Sequence, residues 1–400
     1  MKTHLTISRA YKRKHLLVHY IVVSFMCACA SHSAVPPFQE SELYPWEKSV
    51  ELSKSEQSLV NSIDTFFKNK VKKAGFNGSV LVADHGKIIY QNSFGYARFE
   101  SKKSLTDSSQ FQLASASKPF TATAVLILRD KDELNLDDPV SKYLDGFPYD
   151  SITVRMLLSH RSGLGNYVYL FDSLRIPADS FISNQQVLDY FIRNKPPLQS
   201  SPGHHFEYCN TNYALLALII EKVSGESYSQ FMNENIFRPC HMHYTFVCNA
   251  KDDQVSPNKT FDYKGSHWSR LPAVPYDGVV GDKGIYSTPY DLFLFDQALD
   301  HGLLLKKETL DEAYKGYSYE KPGIRNYGLG WRLKEFPNGE KLIYHNGWWR
   351  GYNSVFDRRP DRGICVAVLS NKYNRNAYNL NGLFDLLHMT DGETDEDEGQ

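Results

Sequence analysis

The most informative stretch of the chain, residues 111–120, reads FQLASASKPF and leads into an apolar segment at residues 121–128 that is typical of a helix. Ser115 and Lys118 are three residues apart, so on a helix their side chains share one face and can touch. A serine hydroxyl becomes a strong nucleophile only when a neighbouring base takes its proton. A lysine can be that base when burial or nearby charge favours its neutral form. The stretch therefore predicts Ser115 as a nucleophile and Lys118 as its general base.

A second copy of the S-x-x-K spacing, Ser318 to Lys321, shows that the motif alone is weak evidence. This copy runs into Pro322 and no apolar helix follows, so we interpret it as a surface loop. The alternative for the first copy is a Ser115 that only caps a helix beside a solvated Lys118. The choice between these interpretations depends on what the rest of the chain brings to the site.

Two later segments carry side chains that suit the same chemistry. Tyr208 and Asn210 follow a Pro-Gly loop, and a phenol beside a lysine can relay protons while an amide can orient a substrate. His345 and Gly347 end a predicted strand, where a glycine lets a substrate backbone approach the strand edge. Each segment also has a purely structural interpretation. Residues 90–92 repeat the Tyr-x-Asn pattern within a predicted hairpin, and a lone histidine is ordinarily part of a core.

Strand patterns lie at both ends of the chain, with helical patterns between them. Residues 53–74 have helical spacing, and two short strands flank a turn at residues 84–86. The middle, about residues 120–310, is expected to be mostly helical. The remaining predicted elements are a helix over 214–223, strands over 327–331, 341–345, 351–356 and 364–369, and a last helix over 378–388. The chain is therefore predicted to be an α+β protein, with an antiparallel sheet built from N- and C-terminal strands, flanking helices and a mostly helical middle lobe.

The first thirty residues are predicted to be a leader rather than part of the fold. Basic residues precede an apolar run at residues 16–30 that is too short for a membrane-spanning helix. Residues 26–29 fit a lipoprotein signal in which Cys29 carries a lipid anchor, and ordinary signal cleavage is the alternative. The protein is therefore expected to be exported, to the periplasm or as a membrane-anchored lipoprotein. The predicted order along the chain is leader 1–30, tether 31–56, folded domain 57–388 and acidic, disordered tail 389–400.

Composition and missing motifs exclude several classes of protein. The chain has 45 basic and 46 acidic side chains, so it lacks the basic surplus that nucleic-acid binding requires. The G-x-S-x-G and H-E-x-x-H motifs of other hydrolases are absent. Cys240, His241 and His243 could ligate a metal, but no further ligand is suitably spaced, so neither a metal nor another cofactor is expected. A disulfide between Cys240 and Cys248 is left open.

The order of the motifs resembles that of a known superfamily. S-x-x-K at Ser115, Y-x-N at Tyr208 and H-x-G at His345 follow each other as in the serine beta-lactamases and penicillin-binding proteins. The likeness is strongest to the class C-like branch of esterases, D-aminopeptidases and D-Ala-D-Ala carboxypeptidases, and it covers about residues 57–388. It implies a beta-lactamase/transpeptidase-like fold and an acyl-enzyme formed on the serine.

The resemblance also implies a role for each residue of the site. Tyr208 would shuttle protons when the acyl-enzyme forms and when water cleaves it. Asn210 would bind the substrate amide or orient the lysine, and His345 would hold the substrate and polarise the region around Tyr208. The backbone amides of Ser115 and Trp348 would form the oxyanion hole. Losing one oxyanion donor typically lowers the rate on the order of 100- to 1000-fold.

The third motif departs from the pattern of the antibiotic-resistance enzymes. Those enzymes usually carry Lys-Thr-Gly, whereas residues 345–347 read His-Asn-Gly. An imidazole grips a substrate carboxylate less firmly than a lysine does. The sequence therefore favours an ester or a D-amino-acid peptide as the substrate. A beta-lactamase proper and a lipoprotein that binds cell-wall peptide without turnover are the alternatives, and the oligomeric state is left open.

Overall fold

The computed structural model describes residues 43–48, 51–172, 174, 176, 177, 180–248 and 256–389. The predicted leader and the tail from residue 390 onward lie outside these ranges. The helices are α1 Lys54–Ala74, α2 Lys118–Asp130, α3 Val154–Leu158, α4 Tyr167–Asp172, α5 Asn184–Asn194, α6 Asn210–Ser224, α7 Tyr228–Met232, α8 Pro289–Asp300, α9 Lys307–Ala313 and α10 Asn381–Leu386.

The strands of the described residues are short apart from those in the main sheet. They are β1 Gly78–Asp84, β2 Lys87–Phe94, β3 Tyr96–Arg98, β4 Lys103–Ser104, β5 Phe111–Gln112, β6 Phe246–Val247, β7 Tyr263–Lys264, β8 Ser269–Arg270, β9 Ile285–Ser287, β10 Arg325–Tyr327, β11 Arg332–Glu335, β12 Lys341–Tyr344, β13 Gly347–Trp349, β14 Tyr352–Arg359 and β15 Ile364–Ser370.

The main antiparallel sheet joins the two ends of the chain. Its order is β10-β11-β12-β14-β15-β1-β2, and β13 pairs with β14 beside β12. The N-terminal strand β1 pairs with β15 in a register that places Leu81 opposite Ala367. The prediction of an α+β fold whose sheet combines N- and C-terminal strands is therefore confirmed.

The hairpin of β1 and β2 follows directly from its sequence. His85 and Gly86 both have positive φ, 51° and 69°, as the tightest hairpin turns require. Alternate residues of β1 are buried in two different hydrophobic cores, because successive side chains of a strand point to opposite faces. Leu81 packs with the helical lobe, whereas Val80 packs with α1 and α10 on the other face. The sheet is thus buried on both sides.

The folded part begins earlier than the expected boundary at residue 57. Ser53 caps α1 and forms a capping box with Glu56, so residue 57 lies within this helix. Upstream, the Tyr44 ring stacks on His241 with centroids 4.6 Å apart, and Trp46 stacks on His301 at 4.3 Å. These contacts attach residues 44–47 to the domain. This part of the tether expected over residues 31–56 therefore belongs to the folded structure.

Three further expectations need adjustment. Helix α6 begins at Asn210 rather than residue 214, and α10 is shorter than the helix expected over residues 378–388. The strand expected over residues 327–331 ends at Tyr327. Gly328 packs so closely against the backbone of Ala313 that a Cβ at residue 328 would lie 2.1 Å from the Ala313 carbonyl oxygen.

Within the described ranges, no helix is both long and apolar enough to cross a membrane.

None of the cysteines among the described residues forms a disulfide. Cys209, Cys240, Cys248 and Cys365 are all buried, so the structure has no disulfide between Cys240 and Cys248. A buried thiol behaves as a small apolar side chain. Burial raises the pKa of Cys209, the middle residue of the Tyr-x-Asn motif, to about 11.

Candidate active site

Ser115 lies in a 3-10 turn, Ala114–Ser117, between β5 and α2. Ala114 has a φ of 50°, in the left-handed region that few residues with a side chain adopt. Pro119 occupies the first turn of α2, where its missing N–H costs little. The helix proper starts at Lys118, so Ser115 precedes the helix rather than being part of it.

The Lys118 side chain is completely buried and aimed at the serine. Its Nζ lies 3.1 Å from Ser115 Oγ, 2.9 Å from Asn210 Oδ1 and 3.1 Å from the carbonyl oxygen of Asp282. Burying an amine is costly unless its hydrogen bonds are replaced, and these oxygens replace them. The alternative of a solvated lysine beside a capping serine is therefore wrong for this pair.

Tyr208 and Asn210 come from the segment that enters α6. Asn210 is the first residue of α6, which places its side chain beside Lys118. The half-buried Tyr208 ring has its centroid 4.8 Å from Lys118 Nζ. The Tyr208 ring and the Asn210 amide therefore lie beside the lysine, although they come from a segment some ninety residues further along the chain.

His345 follows β12 and is completely buried. Its Nε2 lies 3.2 Å from the hydroxyl oxygen of Tyr327, and its Nδ1 lies 2.8 Å from the carbonyl oxygen of Asn346. Burial, with added repulsion from Arg332 and Lys118, holds the pKa of His345 well below its ordinary value. The imidazole is thus neutral in the inner wall of the site, 6.3 Å from the Tyr208 ring between centroids. Its expected contact with substrate stays a prediction.

Strand β13 lies against the nucleophile turn through Gly347. A Cβ at Gly347 would meet the Leu113 carbonyl oxygen at 2.1 Å and the Ser115 backbone nitrogen at 3.0 Å, so only glycine fits. The next residue, Trp348, has a side chain that is 55 % exposed and packs on the Tyr373 ring. The two segments expected to supply the oxyanion-hole amides are therefore in contact, and a tryptophan borders the entrance.

Several residues of the site were not singled out from the sequence. The buried His160 ring lies 4.4 Å from the Tyr208 ring between centroids, and burial also holds the pKa of His160 well below its ordinary value. Arg332 Cζ lies 5.2 Å from the centroid of Tyr208. Tyr327 supports His345 from β10. No local sequence pattern could have identified Arg332 as a site residue, because it reaches the site only through the pairing of β11 with β10 and β12.

The second Ser-x-x-Lys copy and the candidate metal ligands lie outside the active site. Ser318 and Lys321 are in the loop between α9 and β10, as predicted, and Lys321 is exposed. His241 Nδ1 lies 2.9 Å from Glu47 Oε2 at the N-terminal segment. In the ranges that the structure describes, no group of three or more His, Cys, Asp or Glu side chains is arranged to hold a metal ion.

Comparison with known proteins places the chain in a family. Residues 63–386 match the family model described as Beta-lactamase. The chain is 35% identical over 341 residues to "Penicillin-binding protein 4*" of Bacillus subtilis (strain 168), covering 80% of this chain and 74% of the relative. It is 30% identical to "Putative penicillin-binding protein PbpX" of the same organism, covering 81% and 78%.

A solved structure shows the same architecture. The octameric penicillin-binding protein homologue from Pyrococcus abyssi superposes with a TM-score of 0.71 at 26% sequence identity, covering 82% of this chain and 77% of that one. The match over most of the chain shows that it belongs to the beta-lactamase family, within the serine beta-lactamase and penicillin-binding-protein superfamily. The resemblance inferred from the motifs is thereby confirmed.

Proposed function

We propose that this member of the beta-lactamase family is a serine hydrolase that cleaves a peptide ending in a D-amino acid through an acyl-enzyme on Ser115. One observation carries the proposal: the buried Lys118 amine lies 3.1 Å from the Ser115 hydroxyl. A base at hydrogen-bond distance from a hydroxyl is the arrangement that activates a serine nucleophile. A purely structural lysine would not need to be buried at this point.

In the proposed reaction Ser115 Oγ attacks the substrate carbonyl carbon while Lys118 accepts the hydroxyl proton. The oxyanion is stabilised by the amides of Ser115 and Trp348. The C–N bond then breaks as Tyr208 gives its proton to the departing amine, and Lys118 passes the serine proton on to Tyr208. Water next attacks the ester carbonyl while Lys118 accepts a proton from it. The bond between the carbonyl carbon and Ser115 Oγ breaks, Oγ takes the proton back from Lys118, and the acid product leaves. Asn210 holds Lys118 in place through the 2.9 Å hydrogen bond.

The charges around the site favour a substrate that carries a carboxylate on its leaving group. Lys118 and Arg332 are both close to the Tyr208 ring. Burial, with the two basic side chains nearby, holds the pKa of both His160 and His345 well below the ordinary value, so these imidazoles are neutral. A guanidinium is well suited to bind a carboxylate, since its planar fork can donate two hydrogen bonds. This observation favours a D-amino-acid peptidase or carboxypeptidase over an esterase.

The names of the relatives point in the same direction. The curated relatives are described as penicillin-binding proteins, which agrees with a substrate related to cell-wall peptide. We also propose that the chain is exported, with Cys29 as the site of lipid attachment. Mass spectrometry of the mature N terminus tests this, because a lipid on Cys29 and simple cleavage give different masses.

The proposal is tested with a substrate panel and an active-site probe on the purified protein without its leader. We expect a fluorophosphonate or labelled penicillin to mark Ser115, and no label in Ser115→Ala. Among p-nitrophenyl butyrate, nitrocefin and a D-Ala-D-Ala peptide, the peptide should have the highest kcat/KM. Dominant nitrocefin turnover would instead identify a beta-lactamase. Binding of the peptide with neither label nor turnover would identify a non-catalytic receptor.

A further inference from the structure

His160 is a buried residue of the site that has no part in the chemistry described above. It follows α3, and its φ of 56° lies in the left-handed region that few residues with a side chain adopt. Such a conformation costs free energy and persists where the surrounding structure requires it. In this conformation both the carbonyl group and the ring of His160 face the segment that carries Tyr208.

His160 holds the backbone on both sides of Tyr208. Its carbonyl oxygen accepts a hydrogen bond from the Glu207 amide at 2.8 Å. Its Nδ1 accepts one from the Cys209 amide at 3.2 Å. The His160 ring also packs against the Tyr208 ring, with centroids 4.4 Å apart. One residue therefore contacts the tyrosine ring and both of the backbone amides that flank it.

The imidazole can accept these protons only if its Nδ1 carries none. A backbone N–H can only donate, so the bond from Cys209 requires this tautomer. The Oδ1 of Asn212 accepts from Ser162 Oγ at 2.6 Å, which leaves its Nδ2 group as a second donor 3.1 Å from His160 Nδ1. Burial holds the pKa of His160 well below its ordinary value, so the ring stays neutral and keeps its acceptor at neutral pH.

The segment that carries Tyr208 is a loop. Residues 206–209 belong to neither a helix nor a strand, so contacts with other segments must fix the tyrosine. Arg161, next to His160, donates to two carbonyl oxygens of residues 203–204, at 2.8 and 2.9 Å. A displacement of a reacting group by about 1 Å can cost on the order of 100-fold in rate. The contacts of His160 are therefore well placed to affect the reaction.

Space filling is the purely structural interpretation of His160. Its ring packs against the rings of Phe206, Tyr213 and Tyr327, with centroids 4.8 to 6.0 Å apart. Packing requires a ring of this size but no acceptor, whereas the bond from Cys209 requires an acceptor but no ring. The two interpretations therefore predict opposite outcomes when the ring and the acceptor are removed separately.

We propose that His160 is a positioning residue that places the Tyr208 hydroxyl for proton transfer by holding the backbone on both sides of the tyrosine. The need for that proton transfer rests on the proposed function, but the contacts of His160 can be measured without catalysis. Because His160 acts only through Tyr208, its effect on the rate requires the Tyr208 hydroxyl.

The experiment separates the acceptor from the ring with two variants. His160→Asn places a carbonyl oxygen the same number of bonds from Cα as Nδ1, and asparagine tolerates a positive φ. His160→Phe keeps an aromatic ring and has no acceptor. On a D-Ala-D-Ala peptide, His160→Phe should lower kcat about 30-fold with KM within about threefold, because the tyrosine is displaced while the binding groups remain. His160→Asn should lower kcat by no more than about fivefold, because the hydrogen bond is kept.

Combination with Tyr208→Phe distinguishes positioning from general damage. Adding His160→Phe to Tyr208→Phe should lower kcat by less than about a further twofold, because the hydroxyl that His160 positions is gone. A residue that only fills space would lower kcat by the same factor in both backgrounds. If circular dichroism shows that His160→Phe does not fold, His160→Leu, which also lacks an acceptor, takes its place.

Hydrogen exchange followed by mass spectrometry tests the contacts without catalysis. In a peptide covering residues 204–211, His160→Phe should speed exchange of the Cys209 amide about tenfold, the effect of losing one hydrogen bond. His160→Asn should leave this exchange close to that of wild type. A peptide from α1 should exchange equally in all three proteins and serves as the control.

The outcomes separate the role of His160 from the proposed activity. Unchanged exchange in His160→Phe would overturn the proposal, and so would a larger fall of kcat in His160→Asn than in His160→Phe. An equal loss of kcat with Tyr208 and with Tyr208→Phe would overturn it as well. If exchange follows the expected pattern but the wild type hydrolyses no peptide, the hold of His160 on the tyrosine segment stands and the proposed function fails.

Discussion

The chain holds two copies of the Ser-x-x-Lys spacing, one at the start of α2 and one in the loop after α9. In the first copy the lysine is fully buried and its amine touches the serine. In the second copy Lys321 is exposed, and Ser318 Oγ instead lies 3.2 Å from Nη1 of Arg161. The spacing is identical, but only one environment removes the lysine from water and surrounds it with oriented oxygens. The comparison teaches that burial and neighbours, not the motif itself, give such a pair its chemistry.

The largest difference in kcat/KM is expected between alanine substitutions of the two serines. Ser115→Ala should lower kcat/KM on the preferred peptide by at least about 10⁴-fold, because loss of a nucleophile removes the covalent route. Ser318→Ala should leave kcat/KM within about twofold of wild type. Steady-state kinetics on both purified variants measures the difference. A comparable loss in Ser318→Ala, with its fold intact by circular dichroism, would break the comparison.

A smaller effect should separate two tyrosines, one beside each copy of the Ser-x-x-Lys spacing. Tyr208→Phe keeps the ring against Lys118 and removes only the hydroxyl, so kcat should fall on the order of 100- to 1000-fold if that hydroxyl carries protons. Tyr319, within the second copy, is 68 % exposed, and Tyr319→Phe should change kcat by less than about twofold. Measuring kcat and KM separately is essential. A Tyr208→Phe variant with normal kcat and raised KM would assign Tyr208 to binding alone.

The smallest effect concerns stability, through the buried His345. Burial lowers the pKa of His345 in the folded chain, whereas the unfolded chain takes up a proton near pH 6.5. The unfolded state therefore binds more protons as the pH falls below about 6.5, and His345 makes unfolding easier in acid. Relative to His345→Gln, the wild type should lose about 1.4 kcal/mol of unfolding free energy per pH unit below 6.5, down to the lowered pKa.

Urea unfolding of wild type and His345→Gln between pH 7.5 and 5 measures this difference, and other titrating groups cancel in the comparison. All other histidines are unchanged between the two proteins, so a difference that varies with pH reports on residue 345. If His345→Gln gave a constant difference, the imidazole would not be held neutral by the fold.

Local patterns in the sequence predicted much of this molecule. The hairpin of β1 and β2 and the apolar helices follow from spacing within a few residues. The positions of Ser115, Lys118 and Tyr208 followed from motif order. What could not be predicted depends on pairing between distant segments, because such contacts leave no periodic trace in the chain.

Arg332 illustrates this limit. It reaches Tyr208 only because β11 pairs with both β10 and β12, and nothing in the surrounding sequence marks it. The contact of Gly347 with the nucleophile turn is of the same kind.

The position of β1 beside β15 in the sheet constrains how the protein is made. Ser370 at the end of β15 donates a side-chain hydrogen bond to the carbonyl of Asn77, 293 residues earlier. Contacts between such distant segments require closure of a very long loop, which slows folding. A ribosome that has released only the first 340 residues has not yet supplied β13, β14 and β15. The nascent chain therefore carries its serine and lysine long before Gly347 can reach them, and the site can assemble only after residues 347–370 have left the ribosome.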